Sequence, residues 1–310
     1  MTLFRVTLRL TAPLGTPLVG PTLFGQVCWA ILDSDGESAL SDWLDDPDRA
    51  WTVSDGFPAG YLPRPLVTPR VLSPDDLETI KQRKKRIYVS RAAWLEHRGN
   101  WDEARLPIDA LIAEPSLPRR MAHNHVHRSG RGTLEEGGLF FLEEDWRFSA
   151  SGGDAGIDPG LIDVYVSTAD DRDRVKRTLS AIGQQGYGRD ASTGRGRWDV
   201  LSVEEDRELA DCDGSRMVSL SRGVIDPDKM GAPLWRLEAH YGRTGPQLSL
   251  AGGSPFKRPV LLTRPGMTFS PKAAGPYGRM LGGLHQDHPE IRLNAQHIAI
   301  PFSETSEDAA

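Results

Sequence analysis

A chain of 310 residues exceeds the usual single-domain size of roughly 100 to 200 residues, so two domains sharing an interface are expected. A hydrophobic share of 38% with 32 Gly and 23 Pro assigns much of the chain to loops. The net charge of −6 excludes a protein that coats nucleic acid indiscriminately, because affinity for its backbone comes mainly from Lys and Arg.

Residues 1–10 alternate Leu3, Arg5, Thr7 and Arg9 with Phe4, Val6, Leu8 and Leu10, the period of a half-buried strand and not of a signal-peptide core. A Pro/Gly loop follows, and Leu23, Val27 and Ile31 at four-residue spacing predict a helix over 22–32. Trp43, Leu44 and Trp51 suggest a short second helix, and the prolines from 58 to 69 force an extended path. Ser73, Pro74, Asp75 and Asp76 stand in the order cap, first-turn proline and acids facing the dipole, so a helix runs to about Arg86. Residues 87–131 have no clean helical period and read as an insertion projecting from the core.

Strands are expected over 139–148 and 161–168, the second with Ile162, Val164 and Val166 on one face and Leu161, Asp163 and Tyr165 on the other. Asp170 and Asp171 open a helix whose Val175, Leu179 and Ile182 form one stripe, ended at Gly183 or Gly186. A Gly-rich loop and a strand over 198–203 complete a βαββαβ order, that of a ferredoxin-like unit. Strand signals recur at 217–220, 234–241, 260–263 and 295–301 with weak helix signals between them, as in a second, degenerate unit. The expected fold is therefore α+β. Its first ferredoxin-like domain spans 1–204 with an insertion at about 51–138, its second spans 205–302, and a polar tail over 303–310 is disordered.

Cys28 and Cys212 lie too far apart in pattern for a disulfide framework and suit a reducing compartment such as the cytoplasm. No apolar run approaches the roughly 20 residues of a membrane span. Charge is uneven: acids dominate residues 33–78, whereas 81–131 carry a run of Lys and Arg. One face would then meet nucleic acid while another meets protein.

Residues 186–198 combine Tyr187, Gly188, Arg189, Thr193, Gly194, Arg195, Arg197 and Trp198. Glycines let backbone N–H groups approach a phosphate, arginine forks supply charge, and Tyr187 and Trp198 would stack on a base. The pattern is neither a P-loop nor a dinucleotide fingerprint, and a flexible surface loop is the plain alternative. A second candidate holds Arg119, Arg120, His123, Asn124, His125, His127, Arg128 and Arg131. In an extended chain the three histidines share one side, which suits an RNA-facing edge better than a metal site. A histidine acting as general base in RNA cleavage remains open there. Lys257 and Arg258, beside the strand at 260–263, reach a phosphate or cap a solvent edge equally well, and His285, Asp287, His288 and Glu290 match no metal spacing.

Three stretches together resemble the Cas5-group RAMP subunit, the fourth subunit of type III-A CRISPR-Cas (Csm) effector complexes: residues 21–30 (PTLFGQVCWA), His123 to Arg128 leading into Gly137 to Phe141, and Gly186 to Gly194 with Gly196. Pro265 to Phe269 resembles a C-terminal strand-turn motif of that family. The resemblance implies a non-catalytic subunit with no cofactor or metal, made of two ferredoxin-like RAMP domains that grip the 5′ tag of CRISPR RNA. It further implies contacts with the large polymerase-like subunit, the first backbone subunit and target RNA near the tag, and a thumb-like hairpin, best matched by the basic insertion. Leu14, Gly15, Thr16 and Pro17 stand where the family has a histidine- or serine-rich first loop. The competing reading is a metal-independent endoribonuclease that matures repeat RNA.

Overall fold

The computed structural model describes residues 1–68, 77–125, 138–150, 156–245 and 254–305. Alternation places Phe4, Val6, Leu8 and Leu10 of β1 (Thr2–Leu10) in one apolar core and Leu3 in another, so this strand is covered on both sides. After it come α1 (Gly20–Asp35), α2 (Glu37–Asp45), β2 (Thr52–Val53), β3 (Phe57–Pro58) and β4 (Tyr61–Pro63). Next are α3 (Leu77–Lys85), β5 (Tyr88–Ser90), α4 (Arg91–His97), β6 (Leu111–Ile112), β7 (Pro118–Asn124) and β8 (Leu139–Asp145). The first half closes with β9 (Leu161–Thr168), α5 (Arg172–Gln185) and β10 (Trp198–Glu205).

The central antiparallel sheet runs β10-β1-β9-β2, with β3 also on β9. Its outermost and innermost strands thus come from opposite ends of the first half, joined by α1 and α5. Both helices turn their apolar stripes onto one face of the sheet: Leu23, Val27 and Ile31 from α1, and Val175, Leu179 and Ile182 from α5. Pro21 lies in the first turn of α1, where its missing N–H costs nothing, and the Asp171 side chain caps α5 by accepting from Arg174 N at 2.7 Å.

The other face of the sheet is covered by the chain between β3 and β7 together with C-terminal strands. There β4, β5 and β6 form a small sheet, and Trp94, Trp101 and Phe302 pack with ring centroids 5.0 to 6.4 Å apart. Two expectations are corrected here. Residues 51–58 belong to the central sheet rather than to an insertion, because Trp51, Val53 and Phe57 are core side chains. The segment from 87 to 112 does not project, since Val89, Trp94, Trp101 and Leu111 are buried. The expected helix start at 73–76 lies outside the described residues.

The second half adds α6 (Arg207–Ala210), β11 (Arg216–Ser219), β12 (Met230–Leu234), β13 (Leu237–His240) and β14 (Val260–Thr263). It ends with β15 (Thr268–Pro271), β16 (Gly278–Leu281), β17 (Leu293–Gln296) and β18 (Ala299–Phe302). One sheet runs β12-β15-β11-β18, while β13-β14 and β16-β17 are separate two-stranded ribbons. Among the described residues after Ala210 there is no helix, so the weak helix signals of this half are not realised. Pro and Gly recur through it, and neither sustains a helix. Residues 303–305, expected in a disordered tail, are held by Trp101 N on Ser303 O at 2.7 Å and by an Arg216–Glu304 ion pair at 2.8 Å.

The expected strand at 295–301 is broken by a corner at His297, whose ring is buried between Ser219 Oγ (2.8 Å from Nδ1) and the Val224 carbonyl (3.1 Å from Nε2). Burial depresses its pKa to about 4. The folded protein then binds fewer protons than the unfolded chain below the free imidazole value of about 6.5, so stability present above that pH is lost as pH falls toward 4. Urea midpoints should therefore drop between pH 7 and 4.5, with this ring contributing about 2 kcal/mol. A His297→Gln variant, less stable at pH 7, should show a shallower pH slope; an unchanged slope would remove this histidine from the acid response.

Candidate nucleic-acid interface

The Gly-rich loop after α5 is tied into the fold by buried rings and backbone hydrogen bonds. Tyr187 is fully buried, its hydroxyl donating to Pro17 O at 2.9 Å and accepting from Val19 N at 3.1 Å. Trp198 is buried as well, its ring 5.8 Å from that of Tyr187 and its indole N–H donating to Leu179 O at 3.0 Å. The expected base-stacking role of these two rings is thereby corrected: they close the core where α5 turns back into β10.

The loop's amides are largely consumed in the same way. Tyr187 N donates to Gly196 O, Arg189 N to Thr16 Oγ1, Gly194 N to Ala191 O, and Gly196 N to Pro13 O. Thr193 gives its N–H and its hydroxyl to Asp190 O. Glycine is required at 196, where φ is +66° and a Cβ would sit 2.1 Å from Tyr187 O, and at 15, where a Cβ would sit 2.6 Å from Arg189 O. Gly188 meets the Thr16 side chain, and Gly194 is the left-handed C-cap of the short turn 191–193. Sequence reading took the glycines of 186–196 for a phosphate cradle; Gly188, with Gly15 opposite, lets the loop and the first loop approach each other, and Gly196 lets the loop close on Tyr187.

The three arginines of the loop have separate roles. Arg195 Nε lies 2.9 Å from Oε1 of Glu144, a buried carboxylate that also accepts from the Trp146 indole at 3.2 Å and has His123 Nε2 at 3.9 Å. Arg189 donates to Glu143 O at 2.6 Å and lies 3.3 Å from Asp190. Arg197 is exposed and has no charged partner among the described residues. Asp145 pairs with Leu14 through both backbone hydrogen bonds at 2.9 Å. The Gly-rich loop, the first loop and the base of β8 therefore meet at one junction.

From that junction the β7–β8 hairpin extends, in register from Pro118↔Asp145 to Asn124↔Leu139. One face pairs Arg119 with Glu144, Met121 with Leu142 and His123 with Phe140. Phe140 is stacked by His123 at 5.4 Å and by His125 at 4.9 Å, which holds both imidazoles flat along the ribbon. The opposite face carries Arg120, Ala122, Asn124, Leu139, Phe141 and Glu143, all exposed. Arg119 lies over the Trp146 ring at 5.1 Å and Arg120 over Phe141 at 5.0 Å. His127, Arg128 and Arg131 lie outside the described residues. Among the described residues no three His, Cys, Asp or Glu are grouped to hold a metal, and no helix is long and apolar enough to cross a membrane.

A cleft of about 1330 Å³ opens beside this junction, lined by residues 14–19, by Glu143, Glu144 and Asp145, and by Arg236, Tyr241 and Arg264. Arg64 and Arg83 also reach it; burial lowers the Arg64 pKa, opposed by Glu103 and assisted by Arg236 and Arg83. Sequence reading gave no site role to Arg64, Arg83 or Arg236: Arg83 counted only in the basic run from 81 to 131, and the three come from separate segments that converge in the fold. Lys257 and Arg258 do not join the Gly-rich loop. Lys257 is turned toward Cys28 of α1, where burial lowers its pKa and raises the thiol to about 12, while Arg258 is exposed.

No family model matches the chain, and no curated protein matches it. Solved structures do. A chain of a Csm1-Csm4 cassette in complex with pppApA is 18% identical, with 99% of this chain and 100% of that chain covered at a TM-score of 0.59. A cassette in complex with cA3 gives 17% identity, coverage of 99% and 100%, and 0.60. The Csm3-Csm4 subcomplex of the type III-A CRISPR-Cas interference complex gives 11%, coverage of 97% and 99%, and 0.57. Csm4 is the subunit common to these assemblies, and from end to end this chain has the Csm4 fold, as the resemblance in its sequence implied.

Proposed function

We propose that this chain is a Cas5-group RAMP subunit of a type III-A CRISPR-Cas effector complex. In this reading it grips the repeat-derived 5′ tag of CRISPR RNA and joins the large polymerase-like subunit to the first backbone subunit, without cutting RNA itself. One observation carries the reading: the full-length likeness to a subunit found both in cassettes with Csm1 and in a subcomplex with Csm3. The strand order β10-β1-β9-β2 with two helices on one face fits a ferredoxin-like RAMP unit, and in this reading the strand-rich second half is its degenerate counterpart. In this reading the β7–β8 hairpin, with exposed Arg119, Arg120, Leu139 and Phe141, serves as the thumb that contacts the guide-target duplex near the tag.

The cations available to an RNA backbone are those not committed to a buried carboxylate. Arg119, Arg120 and Arg197 qualify, and Arg195 does not. Replacing the three together by alanine should weaken binding of tagged RNA about ten-fold or more at moderate salt. It should also reduce the slope of log K against log salt by about 2, from roughly 0.7 per single-strand phosphate contact. Equal affinity and slope in variant and parent would refute the grip. Repeat RNA incubated with the protein in chelator should stay intact; a defined cut would instead favour the endoribonuclease reading.

A further inference from the structure

Five large apolar side chains of the second half stand well out of its surface: Trp235, Leu237, Tyr241, Phe256 and Leu261. They are gathered on a single ribbon. β13 and β14 pair from Leu237↔Thr263 to His240↔Val260, and the pairing continues outward through Lys257 N to Gly242 O and the bridge Arg243↔Phe256. Alternation then sends Leu237, Ala239, Tyr241 and Arg243 to one side and Glu238, His240 and Gly242 to the other.

The inner side is accounted for. Glu238 is 3.0 Å from buried Arg222, Leu262 is fully buried, and Lys257 faces α1. The outer side is open, with Tyr241 73% and Phe256 55% exposed. Arg243 lies flat over the Phe256 ring at 4.8 Å and has no carboxylate partner among the described residues; Arg258, two residues past Phe256, is exposed too. No side chain that alternation assigns to this side of the strand from Leu237 to Arg243 is acidic, although the chain as a whole carries −6.

Position narrows the ligand. Tyr241 lines the large cleft together with Arg236 and with Arg264, which lies 3.2 Å from Glu238. Exposed aromatic faces beside unpaired guanidinium groups complement a polyanion whose bases are unstacked, since every base has a π-face and every phosphate a charge.

We propose that the outer face of the β13–β14 ribbon is a stacking platform for a single-stranded stretch of RNA, with Tyr241 and the Arg243–Phe256 pair each holding one base. The inference rests on the RNA-binding reading above and adds to it a second contact region, which meets the cleft at Tyr241 and recognises unpaired bases without regard to sequence.

The test compares tagged RNA with the same RNA carrying abasic sites downstream of the tag, using the full chain. The parent should prefer intact RNA by about ten-fold or more per stacked base. Tyr241→Ala with Phe256→Ala should lose that preference and leave both the affinity for abasic RNA and the salt slope unchanged, which also shows that the variant is folded. Exchanging the rings, Tyr241→Phe with Phe256→Tyr, should keep it. An alanine variant that still prefers intact RNA overturns the platform alone. Loss of a co-purifying protein subunit with RNA binding unaltered also overturns it and makes the face a protein interface. A parent that binds neither RNA overturns this inference together with the RNA reading.

Discussion

Arg195→Ala is expected to cost about 3 kcal/mol of folding stability, far more than removal of a surface arginine, for which about 0 to 1 kcal/mol is usual. The reason lies in its partner. Glu144 is 1% exposed and sits between the Gly-rich loop and the hairpin base, with Arg195 at 2.9 Å as its closest cation. Without the guanidinium, the carboxylate keeps, among the described residues, the Trp146 indole and a histidine at 3.9 Å. A buried charge so weakly compensated is relieved by taking up a proton or by opening the site to water, and the site that would open is the root of the hairpin. Urea denaturation should report the loss, and limited proteolysis should cut the hairpin faster. Adding Glu144→Gln should recover much of the stability, because a neutral amide needs no counter-charge. If Arg195→Ala alone unfolds at the parent's urea concentration, the pair does not hold the junction.

That prediction reverses what the sequence suggested for Arg195, and the reversal shows which information is local. β1, α1, β9 and α5 were readable because each turns an apolar face into the same core between the sheet and its two helices, and such a face writes its period into the chain: Leu23, Val27 and Ile31 in α1, and Ile162, Val164 and Val166 in β9. The division of the middle segment was not readable. Residues 51–58 and 87–112 lack a clean period because they are short strands, turns and a two-turn helix buried on several sides at once, as Trp51, Trp94 and Trp101 are. The candidate site divided along the same line. Arg119, Arg120 and the two described histidines do lie on an exposed ribbon, where an alternating pattern leaves both faces visible in the sequence. In the Gly-rich loop, composition alone cannot separate glycines that admit a phosphate from glycines that admit another stretch of backbone. The deciding partners, Pro13, Thr16 and Glu144, lie far away in the chain.

Asp170 makes the same argument for the fold as a whole, and its replacement should be the other costly change. Sequence placed it at the start of α5, where an acid faces the helix dipole. In the structure its Oδ2 accepts from two buried indoles, Trp51 at 2.8 Å and Trp43 at 3.2 Å, while Arg174 and Arg49 approach at 3.3 and 3.5 Å. One carboxylate therefore ties α2 and the entry to β2 onto the start of α5, which is why the chain at 51 continues the first domain instead of leaving it. Asp170→Ala would orphan the N–H groups of two fully buried indoles. At about 1 to 3 kcal/mol for each buried unpaired donor, the expected loss is about 3 to 5 kcal/mol. Asp170→Asn is the informative comparison, because an amide oxygen in the place of Oδ2 keeps both indole bonds and loses only the attraction of two partly exposed arginines. It should cost about 1 kcal/mol. Equal losses for the two variants in chemical denaturation would mean that charge, and not the indole bonds, anchors this corner of the fold.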